Sequence, residues 1–183
     1  MNRKKIASDI IVAVMGGVIA ILGAGVIRDY INRENYLSYE NSNYGIQLEY
    51  PKKWSVQEKL NTLQPEVKLV SPLENNPDNF QERVTVEIET LSKALSLERY
   101  TAQATAQIET ANTIIEPAKE TNFANKEGRE IIYQEKNGDK KRMQVWMLKN
   151  KNVYIATYTA EADKFNKFSK QADKIIESLA IDN

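Results

Sequence analysis

The sequence contains no cysteine and no histidine. Without cysteine there is no disulfide, no thiolate metal site and no lipid-bearing cysteine anchor. Without histidine, the commonest metal ligand and the commonest general base are both gone. Ser-His-Asp and Cys-His nucleophile arrangements are therefore excluded. The 7 glycines form no phosphate-binding loop, and Gly128 and Gly138 read as turn residues. Neither sign of charge dominates, with 25 Lys and Arg against 25 Asp and Glu. Past residue 28 the balance is 21 basic to 24 acidic, with no basic stripe. Nucleic acid is not an expected partner.

What is present begins with an apolar run. Met1–Lys5 is short and basic, and Ile10–Ile27 follows as 18 residues of apolar side chains and glycine. As a helix this run spans about 27 Å, or about 33 Å if it starts at Ile6, against a hydrocarbon core of about 30 Å. A buried helix of a globule would show a polar stripe, and none is visible. The expectation is one transmembrane helix, with residues 1–28 forming a cytoplasmic stub and span. A cleaved signal peptide is the rival reading. The run exceeds the usual apolar core of about 7–15 residues, and Gly23-Ala24-Gly25 makes a poor cleavage site. Arg3, Lys4 and Lys5 outweigh Arg28 and Arg33, so the N-terminus is expected in the cytoplasm. The rest would then face a periplasm or a thylakoid lumen. Gly16, Ala20 and Ala24 form a small-residue face able to pack on another membrane helix. Residues 29–43 read as a polar tether, helical at first, with Tyr30, Tyr36 and Tyr39 near the interface.

Residues 44–183 have the length of one ordinary domain. The centre of that domain is Glu127–Ala160, which reads as three strands. Asn137-Gly138 marks the first hairpin, since both residues tolerate positive φ. Lys149–Asn152 marks the second. Met143, Val145 and Met147 are expected to share a face with Val153, Ile155 and Thr157. Trp146, Leu148, Tyr154, Ala156 and Tyr158 fall on the other. Both faces are largely apolar, so both need cover. Earlier strands are read at 44–51, from Trp54 onward as a short one, at Glu66–Val70 and at Glu82–Leu91. Ser96 is the expected N-cap of a helix with Leu97, Tyr100, Ala104, Ile108 and Ala111 on one face. Lys119–Ala124 reads as a short strand. A last helix, capped by Thr159, lines up Phe165, Phe168, Ala172, Ile175, Ile176 and Leu179. The expected fold is α+β, an antiparallel sheet sandwiched between helices (α/β/α), preceded by the membrane helix.

Chemistry-bearing residues are few. No catalytic, metal-binding or cofactor-binding residue is assigned, and no cofactor is expected. Trp54 and Trp146 are aromatic anchors in principle, although core packing explains both. Lys140, Lys141 and Arg142 are expected at a hairpin tip, where their charge can meet an acidic partner. Glu87 and Glu89 share a strand face with Thr85. Such a pair can do acid–base work or hold Ca²⁺, but a solvated strand face is the plainer reading. Asn75, Asn76, Asp78 and Asn79 lack regular Ca²⁺-loop spacing.

Several segments in order carry a family resemblance. They are Tyr44-Gly45-Ile46 with Tyr50-Pro51-Lys52-Lys53-Trp54, Val84–Glu89 and Ser96–Thr101. Gly128-Arg129-Glu130, Met143–Trp146, Asn152–Ile155 and the closing helix complete the series. Together they resemble the PsbP family over about Tyr44 to Asp182. Ile114-Ile115-Glu116 and Tyr154–Glu161 are most similar to a cyanobacterial subgroup, whose domain often follows a membrane helix. The resemblance implies an antiparallel sheet between helices and a lumenal accessory role beside photosystem II. Family metal sites that use histidine cannot exist here.

Three functions follow as expectations. The first is a non-enzymatic, membrane-anchored binding domain docking on a membrane protein complex. The second is an extracytoplasmic sensor or adaptor for a small ligand or envelope component. The third, a hydrolase working with carboxylates alone, requires two close carboxylates in a cleft.

Overall fold

A computed structural model describes residues 35–182 apart from 61, 63, 75–79 and 137. The expected span, its Gly16, Ala20 and Ala24 face, and the Asn75–Asn79 loop lie outside the described residues. Among the described residues no helix is long and apolar enough to cross a membrane. The chain divides into Met1–Leu37 and a compact unit, Ser38–Asn183.

Ten strands and two helices are described. β1 (Tyr36–Asn41), β2 (Ile46–Pro51) and β10 (Ala180–Ile181) form a three-stranded sheet in the order β1-β2-β10. The expected tether thus ends in a strand. β3 (Ser55–Lys59), β4 (Glu66–Val70), β5 (Arg83–Thr90), β6 (Asn112–Phe123), β7 (Lys126–Glu135), β8 (Lys140–Lys149) and β9 (Asn152–Glu161) build the main sheet. Its order is β3-β4-β5-β9-β8-β7-β6, with every neighbour antiparallel. Helix α1 is Leu97–Ala111 and helix α2 is Phe165–Glu177.

The meander β7-β8-β9 is as expected, but its faces are assorted differently. β8 and β9 join through a two-residue turn in which Asn150 takes φ +60°, so Lys149 pairs with Asn152. Odd positions of β8 consequently face the same way as even positions of β9. Val145 lies opposite Ala156, and Met147 opposite Tyr154. These residues, with Val84, Val86 and Ile88 of β5, meet α2 and β2 in the larger core. Trp146 and Val153, with Ile131 and Tyr133 of β7, meet α1 in the smaller one. One helix therefore packs on each face, as two apolar faces require.

The helices differ in how firmly their sequences hold them. α2 buries Phe165, Ala172, Ile175 and Ile176, with Phe168 partly covered and Leu179 sealing its end. Its N-cap is Lys164, not Thr159. Thr159 stays in β9, buried and paired with Arg83 and Arg142. The strand continues because Ala160 is also fully buried. Helix α1 starts as expected, with Ser96 Oγ accepting from the Arg99 amide at 3.3 Å. Leu97, Tyr100, Ala104 and Ile108 pack on the smaller core, yet no residue of α1 is fully buried. Ala111 is exposed.

The short strand expected at Lys119–Ala124 is the end of the twelve-residue β6, which leaves α1 directly at Asn112. Pro117 sits inside it. This is tolerated because β6 is the edge of the sheet and its pairing with β7 slips between Ile114 and Lys119. Gly128 is needed where β7 crosses β8. A Cβ there would lie 2.7 Å from the Trp146 carbonyl oxygen and 3.1 Å from the Phe123 Cβ.

Candidate functional site

The smaller core does not fill the space beneath α1. A cleft of about 400 Å³ remains between the helix and the sheet. Leu91, Ala104 and Ile108 give it an apolar wall. The polar lining comes from Glu89, Tyr100, Tyr133, Asn112, Gln144 and two helix glutamines, Gln103 and Gln107. Strand alternation puts Glu89 on this side, because Val84, Val86 and Ile88 are spent on the opposite core. Helical spacing puts Tyr100, Ala104 and Ile108 above it.

Several of the polar groups are already ordered. The Tyr100 hydroxyl donates to Glu89 Oε2 at 2.9 Å. Gln144 Nε2 donates to Thr157 Oγ1 at 3.0 Å. Asn112 Nδ2 donates to the Ile108 carbonyl at 2.8 Å, closing the helix. Burial pushes the Tyr100 phenol up, and the Glu89 carboxylate raises it further. Burial also raises Tyr133, partly offset by the Arg142 charge. Glu87 lies next along the strand face. Its carboxyl is raised first by burial and then by repulsion from Glu66, with Lys68 working against both.

The expected pair of carboxylates is therefore split. Glu89 lines the cleft, while Glu87 is not among its lining residues. A second cleft, of about 380 Å³ on the α2 side, gathers Glu130, Asp173 and Glu177. No sequence signal pointed to it, because β7 and α2 meet only in the folded chain. Burial raises Asp173, with Glu177 and Glu130 adding repulsion. Glu130 is paired with Lys119 at 2.9 Å. Among the described residues no group of acidic side chains converges as a metal site needs.

The other expected site residues are placed as follows. Trp54 is 7% exposed and belongs to the larger core, so its ring is not presented to a partner. Trp146 is 1% exposed, under α1. Lys140, Lys141 and Arg142 open β8 directly after the turn that joins it to β7. Lys140 bridges Asp139 at 3.1 Å and Glu161 at 3.6 Å, with its ammonium 3.9 Å from the Phe80 ring centroid. The Lys141 ammonium stands 4.5 Å from the Phe165 ring centroid. Arg142 bonds Glu135 and lies over Tyr133. The three cations thus point to both faces and are engaged locally.

With this geometry in place, comparison with known proteins decides the family. The model of the PsbP-like protein family matches residues 24–181. The chain belongs to the PsbP-like family. No curated protein matches the sequence. Among solved structures, the PsbP-like chain is similar to cyanobacterial PsbP (CyanoP) from Synechocystis. The TM-score is 0.57 at 12% identity, over 81% of this chain and 93% of that one. It is also similar to LpqN of Mycobacterium tuberculosis, described as involved in cell envelope biogenesis. There the TM-score is 0.61 at 17% identity, over 86% and 97%. PA94 of Pseudomonas aeruginosa gives 0.58 at 13% identity, over 81% and 99%. At these identities the likeness concerns the fold: mostly antiparallel sheet with two helices.

Proposed function

We propose that this PsbP-like chain is a membrane-tethered, non-catalytic domain that docks on a membrane protein complex from the lumenal or periplasmic side. The observation that carries the reading is the family match over residues 24–181, joined to the uncharged run Ile10–Ile27 that leads into it. The run has the length of a bilayer span. The lack of histidine and cysteine removes the commonest catalytic side chains, leaving recognition as the simpler task. The likeness to cyanobacterial PsbP makes a photosystem II-related complex the first partner to test. Membranes from the native cell, washed with alkaline carbonate, should retain the chain. Mild detergent should then release it in a band larger than the monomer on a native gel. Recovery in the carbonate wash, or migration only as a monomer, would refute the reading.

A second reading is favoured by the cleft under α1, where an apolar wall meets converging polar groups. On this reading the domain is an extracytoplasmic sensor or adaptor for a small ligand or envelope component. The likeness to LpqN, a protein named for cell envelope biogenesis, points the same way.

A further inference from the structure

We propose that the cleft under α1 binds a small organic cation carrying N–H donors, such as an amine, amidinium or guanidinium group. The inference rests on the small-ligand reading and names its chemistry. Glu89 is the one side chain lining the cleft that carries a formal charge. Its Oε2 is held by Tyr100, and among the described residues its Oε1 takes no hydrogen bond. Gln144 and Asn112 each spend an N–H inside the protein. Each keeps its second N–H and its carbonyl oxygen. With the Glu89 carboxylate, these carbonyl oxygens give a ligand's N–H groups acceptors to bond.

The surrounding charge points the same way. Arg142 is engaged by Glu135, and Lys68 by Glu66. Lys59 borders a neighbouring hollow that Glu89 also lines. Burial and the repulsion from Glu66 raise the Glu87 carboxyl, as expected of a face with an excess of negative charge. A cation in the cleft would relieve that excess. Two phenol rings, Tyr100 and Tyr133, line the same space and favour a cation over an anion. The volume lies at the small end of ligand pockets, and the wall of Leu91, Ala104 and Ile108 suits a flat apolar body.

Benzamidine, benzamide and benzoate have nearly the same shape and differ in charge, so they separate the alternatives. Calorimetry on the full chain in mild detergent should show benzamidine binding, with benzamide about tenfold weaker and benzoate silent. Glu89→Gln keeps an acceptor for Tyr100 and should weaken benzamidine about tenfold while leaving benzamide unchanged. Ile108→Trp fills the cleft and should abolish benzamidine binding. Benzoate or benzamide binding as tightly as benzamidine would overturn the cationic class and leave the ligand reading standing. Benzamidine binding unaffected by Ile108→Trp or by Glu89→Gln would overturn the assignment of the site. No binding by any of the three, or by agmatine, would overturn both this inference and the ligand reading.

Discussion

Replacing Trp146 by alanine should unfasten α1 before it unfolds the sheet. The helix has no fully buried residue, so its hold depends on what rises to meet it. Trp146 supplies most of that: it is 1% exposed, and its indole N–H donates to Thr101 Oγ1 at 3.1 Å. Its ring also meets Tyr100 edge-on, with centroids 6.3 Å apart. A buried tryptophan covers about 150–250 Å², so at about 25 cal/mol/Å² its removal forfeits roughly 4–6 kcal/mol as an upper bound. The hydrogen bond adds about 1 kcal/mol. Measured Trp→Ala costs of about 3–5 kcal/mol agree with that scale. Domain stabilities run to about 5–15 kcal/mol, so the variant should fold but with a much lower urea midpoint. Hydrogen exchange should show α1 amides losing protection while β9 keeps its own. Trp54 fluorescence would report the α2 side independently. A loss below about 1 kcal/mol, with α1 protection unchanged, would refute the packing of this helix on the Trp146 face.

Other consequences are as direct. Gly128→Ala should lose about 1–3 kcal/mol in denaturant titration, because the new Cβ meets the Trp146 carbonyl oxygen at 2.7 Å and backbone cannot step aside. Asp173→Asn should raise the melting temperature at pH 7. The folded chain raises this carboxyl through burial and its two acidic neighbours, so the charged form is penalised above the ordinary carboxylate range. Below pH about 3.8 both states are protonated and the advantage should vanish in melts across pH. Base should unfold the protein cooperatively. Burial and Glu58 push Tyr39 up to about 12, and Tyr100 and Tyr158 are raised as well. Their stabilising effect is intact below the ordinary tyrosine value of about 10 and is lost as pH climbs through the folded values. Phenolate absorbance for these groups should therefore appear together with loss of circular dichroism, not before it.

Local signals in the chain account for most of the fold. Asn150 sets the second turn of the meander, and a serine at position 96 starts a helix just where its hydroxyl caps the amide of Arg99. Pairing register was not local. The grouping of Val145 with Ile155 failed because a two-residue turn joins odd positions to even ones. The β6–β7 hairpin was also hidden. Its two turn residues, Ala124 and Asn125, both take positive φ, at 51° and 59°, and alanine gives no warning of that. Thr159 looked like a cap, yet a buried alanine after it kept the strand going. The sites were the least legible part. Glu89 reaches Tyr100 from another element, and Glu130 reaches Asp173 across more than forty positions. Such groupings arise from packing, so no spacing in the sequence announces them. The lysines at 140 and 141 show the converse: an eye-catching run whose charges are taken up by Glu161, Asp139 and two aromatic rings.

We propose that this domain acts by holding on to a membrane complex. Affinity purification of the tagged full chain from its own membranes in mild detergent, followed by mass spectrometry, tests that claim. Integral membrane subunits should be recovered with it in near-stoichiometric amount. The chain recovered alone, from membranes whose complexes remain intact on the same gel, would contradict it.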